Sequence, residues 1–283
     1  MSEPVHVFRY EAMATFFQVR IAGEELDYAE HAARAAFDLL ERLENLLSRF
    51  RENSEISQIR SMVPGETLRL AEPAFACLEI AKRMEHATKG AFCVSPLMRQ
   101  KPGELPQWSL DRSCMSIRCE AGELNFDLGA IGKGFALDRM AEVLLEWSCP
   151  SFLLISGGSS ILAGEPPPGA PGWSSGLGDD NAPRRFWLKH CSLSGSGFSV
   201  KGHHIFDPRT GKPVSIRPRA WALTDSAAES DALSTACMIL DEPEIEQCTS
   251  GRSDWLVMLH EDGNWKHFGA RLLPPIDPVT AAT

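Results

Sequence analysis

Residues 123–147, ELNFDLGAIGKGFALDRMAEVLLEW, decide how this chain folds, because they predict a strand, a glycine-rich turn and then a helix. Asp127 stands where the strand ends, and Lys133 lies in the first turn of the helix. Free N–H groups and a partial positive charge at a helix N-terminus suit a phosphate group. The alternative is an ordinary strand-to-helix turn with an exposed lysine. The spacing is not that of a Walker loop.

A second candidate site is the segment 231–235, DALST. Asp231 and Thr235 are four residues apart, so on a helix they share one face. Carboxylate and hydroxyl oxygens suit Mg²⁺, which takes one or two carboxylates and completes its shell with water and phosphate oxygens. The alternative is structural, since acids favour the first turn of any helix and a threonine can bond back to its own backbone.

Two other segments place polar side chains next to turns. Residues 203–211, HHIFDPRTG, end in a turn after a predicted strand, and His204 beside a ligand would serve as a general base. A hairpin in which His204 hydrogen-bonds its neighbouring turn is the alternative. Residues 156–160, SGGSS, follow a short apolar run, and the paired glycines permit either close approach of a ligand or a tight turn.

Residues 172–176, GWSSG, match the GxSxG elbow of serine hydrolases. That elbow needs a strand before the serine and a helix after it. Here the match follows PPPGAP and precedes LGDD, which are loop sequences. The context therefore argues against a hydrolase.

Composition narrows the possible functions further. The chain has 28 Lys and Arg against 38 Asp and Glu, a net charge of −10, and no basic run, which argues against nucleic-acid binding. Its N-terminus lacks the basic start and apolar stretch of a secretory signal, and no segment is long and apolar enough to span a bilayer. We therefore expect a cytoplasmic protein without a membrane span.

The cysteines predict free thiols rather than a zinc site. None of the eight forms a CxxC pair, and several lie in apolar runs, as Cys237 does in TACMIL. We therefore expect buried free thiols in a reducing compartment.

The predicted elements mix hairpins with separate helices, which favours the α+β class over a regular βαβ winding. We expect one domain over residues 1–283, built as a single unit or as two closely packed lobes, with a loose tail at 274–283. Helix 28–47, capped by Asp27, places Phe50 on its buried face. The other predicted elements are a helix from Pro73, a helix from about Glu229, strands at 14–21, 151–156, 186–193, 203–206 and 219–223, and a hairpin at 254–270.

Several short segments follow one another in an order that is informative as a whole. They are Met13-Ala14-Thr15, LENLLSRF with NSEI, TKGAF, DLGAIGKGFALD, SGG, WxxGL, HHIFDPRTGKPV and SDALSTA. This succession resembles the FAD:protein FMN transferase family, also called the ApbE family, over nearly the whole chain. The resemblance implies an ApbE-like α+β fold, with antiparallel or mixed sheets flanked by helices and FAD in a central cleft.

The resemblance also implies roles for individual residues. Mg²⁺ would be bound by Asp231 and Thr235, with Ser234 beside them, and by the backbone carbonyl of Ala130. Lys133 and Asp127 would contact FAD, and Lys133 and His204 would be catalytic. The residues that would line the flavin or adenine pockets are Met13, Phe50, Ala91, Phe92, Cys93 and Ile205.

The implied reaction moves the FMN half of FAD onto a threonine or serine hydroxyl of an acceptor protein and releases AMP. FAD is the substrate, and Mg²⁺ neutralises the pyrophosphate. The family's acceptors carry a short Asp/Asn-Gly-Ala-Thr/Ser-like motif. Water in place of the hydroxyl would give an FAD pyrophosphatase. The same scaffold could also serve as a non-catalytic flavin-binding protein or as an interaction protein that binds no flavin.

The chain departs from the family pattern at three positions. Ala14 replaces a glycine, and Cys93 and Ser159 each replace an aspartate. We expect Ala14 to crowd a close backbone approach, and we expect the other two changes to remove carboxylates near the site. We therefore expect these changes to affect transfer more than FAD binding.

Overall fold

The structure is a computed structural model and describes residues 4–95, 106–177, 184–197, 206–214, 217–261 and 264–277. The helices in these ranges are α1 (Leu26–Leu47), α2 (Glu55–Arg60), α3 (Glu72–Ala87), α4 (Gly132–Glu146), α5 (Ala227–Ala236) and α6 (Glu242–Thr249). The strands are β1 (Val5–Ala12), β2 (Thr15–Ala22), β3 (Thr67–Arg69), β4 (Gln107–Asp111), β5 (Ser116–Ala121), β6 (Phe152–Ser156), β7 (Ser160–Ala163), β8 (Trp173–Leu177), β9 (Arg184–Leu188), β10 (Cys191–Gly197), β11 (Phe206–Asp207), β12 (Lys212–Pro213), β13 (Arg219–Thr224), β14 (Leu256–Glu261) and β15 (Asn264–Phe268).

One large antiparallel sheet organises the fold. Its strands run in the order β1-β2-β6-β7-β10-β13-β14-β15. The smaller sheets are β3-β5-β4, β8-β9 and β11-β12. The predicted α+β class, with antiparallel sheets flanked by helices, is confirmed.

The large sheet separates two apolar clusters, and β13 shows how the sequence does this. Ala220 and Ala222 join the larger cluster, which α1, α3, α4 and α5 cover. Trp221 and Leu223 point the other way, into a smaller cluster beneath the β8-β9 hairpin. Successive side chains of a strand face opposite sides, so this sheet is buried on both faces here.

The segment before α4 is extended but is not a strand. Residues 123–128 join no ladder, although the Asp127 N–H donates to the Val94 carbonyl at 2.7 Å. Leu124 and Phe126 are buried while Asp127 is half-exposed. The alternation of apolar and polar residues that predicts a strand here reflects an extended segment packed on the core. Such alternation shows which side chains are buried, but it does not show whether a neighbouring strand is present.

Two predictions about α1 are wrong. The helix begins at Leu26, so Asp27 lies in its first turn, and the actual N-cap, Glu25, makes no side-chain capping bond. The helix ends at Leu47 because the backbone of Ser48 is extended. Phe50 therefore leaves the predicted buried face and is 82% exposed.

Residues 274–277 are held in the fold, unlike the loose tail that the sequence predicts. The Trp187 N–H donates to the Pro275 carbonyl at 2.8 Å, and the Asp277 N–H donates to the Arg185 carbonyl at 2.9 Å. The Asp277 carboxylate accepts a hydrogen bond from Ser174 Oγ at 2.5 Å. Residues 274–277 therefore run beside β9 and are hydrogen-bonded to it. The remainder of the predicted tail lies outside the described residues.

The opening hairpin, β1-β2, has a strained two-residue turn. Ala12 pairs with Thr15, and between them Met13 and Ala14 have φ values of 50° and 56°. Such turns favour glycine and asparagine, because left-handed backbone costs an ordinary side chain about 1–2 kcal/mol. The turn also packs on α1, since the Met13 N–H donates to Glu44 Oε1 at 2.8 Å.

We predict that Ala14→Gly stabilises the protein by up to about 1 kcal/mol, because glycine adopts the left-handed backbone without a steric penalty. Thermal unfolding measures this as a higher Tm. Ala170→Gly is the control, since φ at Ala170 is not positive and a glycine there relieves nothing. A Tm for Ala14→Gly no higher than that of the wild type would show that the turn stores no strain.

Candidate functional site

The first turn of α4 faces a buried carboxylate on α5. Gly134 N–H donates to Asp231 Oδ2 at 3.2 Å, and Lys133 Nζ lies 3.3 Å from the same oxygen. Lys133 also donates to the Gly129 carbonyl at 3.2 Å. The chain therefore brings together the two segments that the sequence singles out, although Gly134 and Asp231 are 97 residues apart.

Asp231 is satisfied on both oxygens and is 3% exposed. Oδ1 accepts a hydrogen bond from Ser160 Oγ at 3.1 Å, while Oδ2 faces Lys133 and the helix N-terminus. A buried carboxylate is costly unless it is paired and hydrogen-bonded, and these partners offset that cost. Ser160 belongs to the predicted SGGSS segment, which thus joins the site.

Ser234 and Thr235 both bond back to their own helix. Their hydroxyls donate to the Asp231 carbonyl at 3.0 and 3.2 Å, as the structural alternative for Thr235 anticipates. Ser234 is fully buried and Thr235 is half-buried. Ser196 Oγ lies 3.0 Å from Ser234 Oγ and 3.2 Å from Thr235 Oγ1, a contact that the sequence analysis missed.

Helix α5 is tied to α4 by a close backbone crossing. A Cβ at Gly134 would lie 2.0 Å from the Ala227 carbonyl oxygen, so only glycine fits. One turn further along α4, the Asp138 carboxylate accepts from the N–H groups of Ala227 and Ala228 at 2.6 and 2.9 Å and from Ser226 Oγ at 2.7 Å. Asp138 thus caps the N-terminus of α5.

The two ends of α5 are held by side chains of opposite charge, a buried arginine and a partly buried aspartate. At the C-terminal end, the Arg217 guanidinium donates to the carbonyls of Cys237 and Leu240 and pairs with Glu261 at 3.0 Å. At the N-terminal end, burial raises the pKa of Asp138 to about 6 even though its hydrogen bonds act in the opposite direction. Both charges complement the helix dipole. The sequence analysis identified neither residue, although Asp138 follows Gly134 at the i, i+4 spacing of one helix face.

Asp127 borders the same turn but has other partners. Its Oδ1 accepts from the Gly129 N–H at 2.9 Å, and its Oδ2 pairs with Arg49 at 2.8 Å. The Arg49 guanidinium also lies 4.7 Å from the ring centre of Phe50. A cation and an exposed aromatic ring therefore stand beside the loop that precedes α4.

The opening turn lies against the SGG turn. Gly157 N–H donates to the Phe16 carbonyl at 2.8 Å, and a Cβ at Gly157 would lie 2.7 Å from Thr15 Oγ1. At position 159 the resemblance leads us to expect an aspartate, and the chain has a serine. The Ser159 carbonyl accepts a hydrogen bond from the Gly195 N–H at 2.7 Å. The turn that carries Met13 and Ala14 is thus adjacent to the segment that supplies Ser160.

The segment 91–93 lies mainly in the core. Ala91 and Phe92 are 1% and 2% exposed, and both side chains belong to the larger apolar cluster. Cys93 is half-buried and lies 3.8 Å from Glu85 Oε1. Burial, together with Glu85, raises the pKa of Cys93 to about 12. The N–H groups of Ala91 and Phe92 donate to Thr88, so both residues are engaged within the core.

Three predicted site residues remain to be located, and the structure describes one of them. His204 and Ile205 lie outside the described residues. The turn that follows them is built as predicted, since the Gly211 N–H donates to the Asp207 carbonyl at 2.7 Å. Ala130 is half-buried against the larger cluster.

The GxSxG match has no elbow. Ser174 lies inside strand β8, which pairs with β9 rather than leading into a helix. Its hydroxyl donates to Asp277 and accepts from Arg185 at 3.0 Å. This serine is part of a structural network.

Comparison with known proteins shows the family of this chain. The model of the ApbE family matches residues 13–256. The chain belongs to the ApbE family. That match spans the opening turn, the α4 turn and the α5 helix.

Relatives of this ApbE-family chain cover most of its length. The FAD:protein FMN transferase of Vibrio cholerae serotype O1 is 22% identical over 84% of this chain and 82% of its own. The FAD:protein FMN transferase of Klebsiella pneumoniae strain 342 is 24% identical over 65% of this chain and 67% of its own. The flavinyl transferase ApbE of Pseudomonas stutzeri has the same fold, with a TM-score of 0.78 at 20% identity over 95% and 96% of the two chains.

We predict that Gly134→Ala destabilises the protein by at least about 2 kcal/mol, because the new methyl group meets backbone of α5 rather than a movable side chain. Gly132→Ala is the matched control. There a Cβ would meet only Leu128 at 3.6 Å, and alanine favours the helix by up to about 1 kcal/mol. Denaturant unfolding measures both. Equal stabilities for the two variants would contradict the crossing.

A second prediction concerns pH. Asp138 titrates at about 6 in the folded state, above the value of about 3.9 of an unfolded aspartate, so the folded chain binds the extra proton. Its contribution to stability is therefore present at low pH and is lost as pH rises through about 6. Relative to Asp138→Asn, the wild type should gain about 1 kcal/mol between pH 7 and pH 5. Unfolding curves that differ by a constant amount at both pH values would refute this.

Proposed function

We propose that this chain transfers the FMN half of FAD to a threonine or serine hydroxyl of an acceptor protein, with Mg²⁺ as cofactor and AMP as the second product. The chain belongs to a family whose curated relatives are FAD:protein FMN transferases, and it is a transferase that uses FAD. The observation that supports the mechanism is the meeting of the Asp231 carboxylate with Lys133 and the N-terminus of α4.

The oxygen donors around Asp231 fit Mg²⁺. The proposed ligands are the Asp231 carboxylate, the hydroxyl of Thr235 and the carbonyl of Ala130, with Ser234 buried beside them. In the described part of the chain no group of three or more His, Cys, Asp or Glu side chains is placed to hold a metal. A site with one carboxylate suits Mg²⁺, which keeps its water and substrate-phosphate ligands, better than it suits metals that prefer nitrogen or sulfur. When bound, Mg²⁺ would neutralise charge on the pyrophosphate.

Lys133 and the first turn of α4 would bind the phosphates of FAD. Asp231 Oδ2 and the Gly129 carbonyl take two of the three protons of Lys133 Nζ and hold the ammonium in place, so one proton remains for a phosphate oxygen. Asp127 and its partner Arg49 border this turn. Charge that develops on the phosphoryl oxygens during transfer would meet donors that are already oriented.

The rest of FAD would lie along the surface that Phe50 and the opening turn provide. Phe50 is exposed and available for stacking on a flavin or adenine ring. Met13 would contribute from the turn, and Ile205 would line the same pockets. Ala91 and Phe92 would support the pocket wall from the core, and Cys93 would lie at the edge of that segment.

Transfer requires one bond to form and one to break at the FMN phosphorus. The acceptor hydroxyl attacks that phosphorus, the bond to the bridging oxygen of the pyrophosphate breaks, and AMP leaves with the electron pair. We assign the proton of the attacking hydroxyl to His204, from its position in the HHIFDPRTG segment. If water attacks instead, the same steps give free FMN, the pyrophosphatase alternative.

The proposed partners are FAD and an acceptor protein. We expect this chain to recognise a short segment around the acceptor's threonine or serine. The net charge of −10 argues against a nucleic-acid partner. Within the part of the chain that the structure describes, no helix is long and apolar enough to cross a membrane.

The test uses metal-stripped full-length protein, FAD and an acceptor domain, with and without Mg²⁺. We expect AMP release and an acceptor mass gain equal to FMN, both dependent on Mg²⁺ and reduced at least about 100-fold in Asp231→Asn. Asp27→Asn, an exposed acid in the first turn of α1, is the matched control and should behave as the wild type.

The remaining outcomes distinguish the competing functions. AMP with free FMN and an unmodified acceptor would mean a pyrophosphatase. FAD binding without AMP at any Mg²⁺ concentration would leave a flavin-binding protein. Absence of FAD binding would refute the proposal as a whole.

A further inference from the structure

A row of hydroxyls lies between strand β10 and helix α5. Ser192, Ser194 and Ser196 alternate along β10, so their side chains point to the same face. Ser192 and Ser194 lie 2.7 and 2.8 Å from Ser230 Oγ, and Ser196 contacts Ser234 and Thr235. A sheet–helix interface is normally apolar, so this polar row calls for a specific explanation.

The inner end of the row is closed. Ser192 Oγ donates to the Ile161 carbonyl at 2.8 Å, and Ser230 Oγ lies 3.1 Å from the Ala227 carbonyl. Ser192, Ser194 and Ser230 are at most 1% exposed. Because each hydroxyl has one proton and all three have partners, this end satisfies itself and offers nothing to a ligand.

The outer end is half-exposed, and one carbonyl organises its hydroxyls. The Ser234 and Thr235 hydroxyls both donate to the Asp231 carbonyl, at 3.0 and 3.2 Å. Ser196 Oγ lies 3.0 Å from Ser234 Oγ and 3.2 Å from Thr235 Oγ1, so its single proton can go to either oxygen.

Because the Thr235 proton goes to the Asp231 carbonyl and Ser196 has one proton, these two partners leave at least one lone pair of the Thr235 oxygen free. Ser196 is half-buried and Thr235 is half-buried, whereas Ser234 is fully enclosed. A hydroxyl whose proton is held away from a site presents only acceptor character to it, which is what a cation requires.

We propose that Ser196 is a positioning residue of the metal site, which holds the Ser234 and Thr235 hydroxyls so that Thr235 offers its lone pairs to a divalent cation. The inference rests on the proposed function, because it takes Asp231 and Thr235 as the metal ligands. Ser196 itself needs no contact with the cation, and its effect passes through Thr235. Groups that orient metal ligands typically change metal affinity about 10- to 100-fold when removed.

The experiment compares Ser196→Ala with Ser192→Ala, which removes the same hydroxyl from the closed end of the same row. Mn²⁺ binding to the full chain is followed by EPR, with Mg²⁺ as competitor, with and without FAD. FAD binding is measured separately by flavin fluorescence, and thermal unfolding reports the structural cost of each variant.

We expect Ser196→Ala to weaken Mn²⁺ and Mg²⁺ binding about tenfold while FAD affinity stays within about twofold of the wild type. Ser192→Ala should lower the Tm, because it leaves buried polar groups without a partner, and should keep wild-type metal affinity. Ser196→Thr, which retains the hydroxyl, should restore metal binding to within about twofold.

Unchanged metal affinity in Ser196→Ala, or an equal loss in Ser192→Ala, would overturn the inference and leave the proposed function standing. A wild-type chain that binds no divalent cation, with or without FAD, would overturn the metal site and the inference together. The two failures can be told apart, because a lack of metal binding is measured on the wild-type chain before any variant is made.

Discussion

The buried Asp231 carboxylate is the interaction on which the rest of this structure depends. A charge that is 3% exposed persists only when it is fully paired, and here one lysine, one helix N–H and one serine hydroxyl pair it. These partners come from α4 and β7, so satisfying one carboxylate fixes α5 against a helix and a strand at once. The same pairing holds Lys133 in place at the N-terminus of α4, beside which we place the phosphates of the substrate.

The remaining contacts of α5 keep the Asp231 carboxylate in a fixed position. Gly134 lets the backbones of α4 and α5 touch, and Asp138 and Arg217 complete the two ends of the helix. The hydroxyl row of β10 supplies a polar face beneath it. A helix of ten residues thus carries an unusual share of buried polar contacts, which act as constraints on its position rather than as a source of large net stability.

The three positions at which the resemblance leads us to expect departures from the family pattern lie around the proposed site rather than at its centre. Ala14 occupies a left-handed turn position, Cys93 is a protonated thiol against Glu85, and Ser159 uses its backbone to hold the turn before Ser160. Among the described residues Asp231 is held by Lys133, Gly134 and Ser160, and Ser159 approaches it only through Ser160, whose Oγ lies 3.4 Å from Ser159 Oγ. The chain therefore keeps the charged centre of the site while it changes residues around it.

The sequence by itself determined the elements with strong local signals and the motifs that identify the family. The helix period of α1, α3 and α4, the β14-β15 hairpin and the DLGAIGKG and DALST segments all follow from residues close in the chain. The capping box of Asp241 and Glu244 at the start of α6 is a further local signal, from which the beginning of that helix can be predicted. Only the tertiary structure decided that residues 123–128 stay outside the sheet, that Phe50 faces solvent, and that Ser196, Asp138 and Arg217 meet α5. The exposure of Phe50 follows from the end of α1 at Ser48. The other outcomes depend on partners many residues away, because the energy of a buried polar contact is set by the partner's position, which local sequence does not encode.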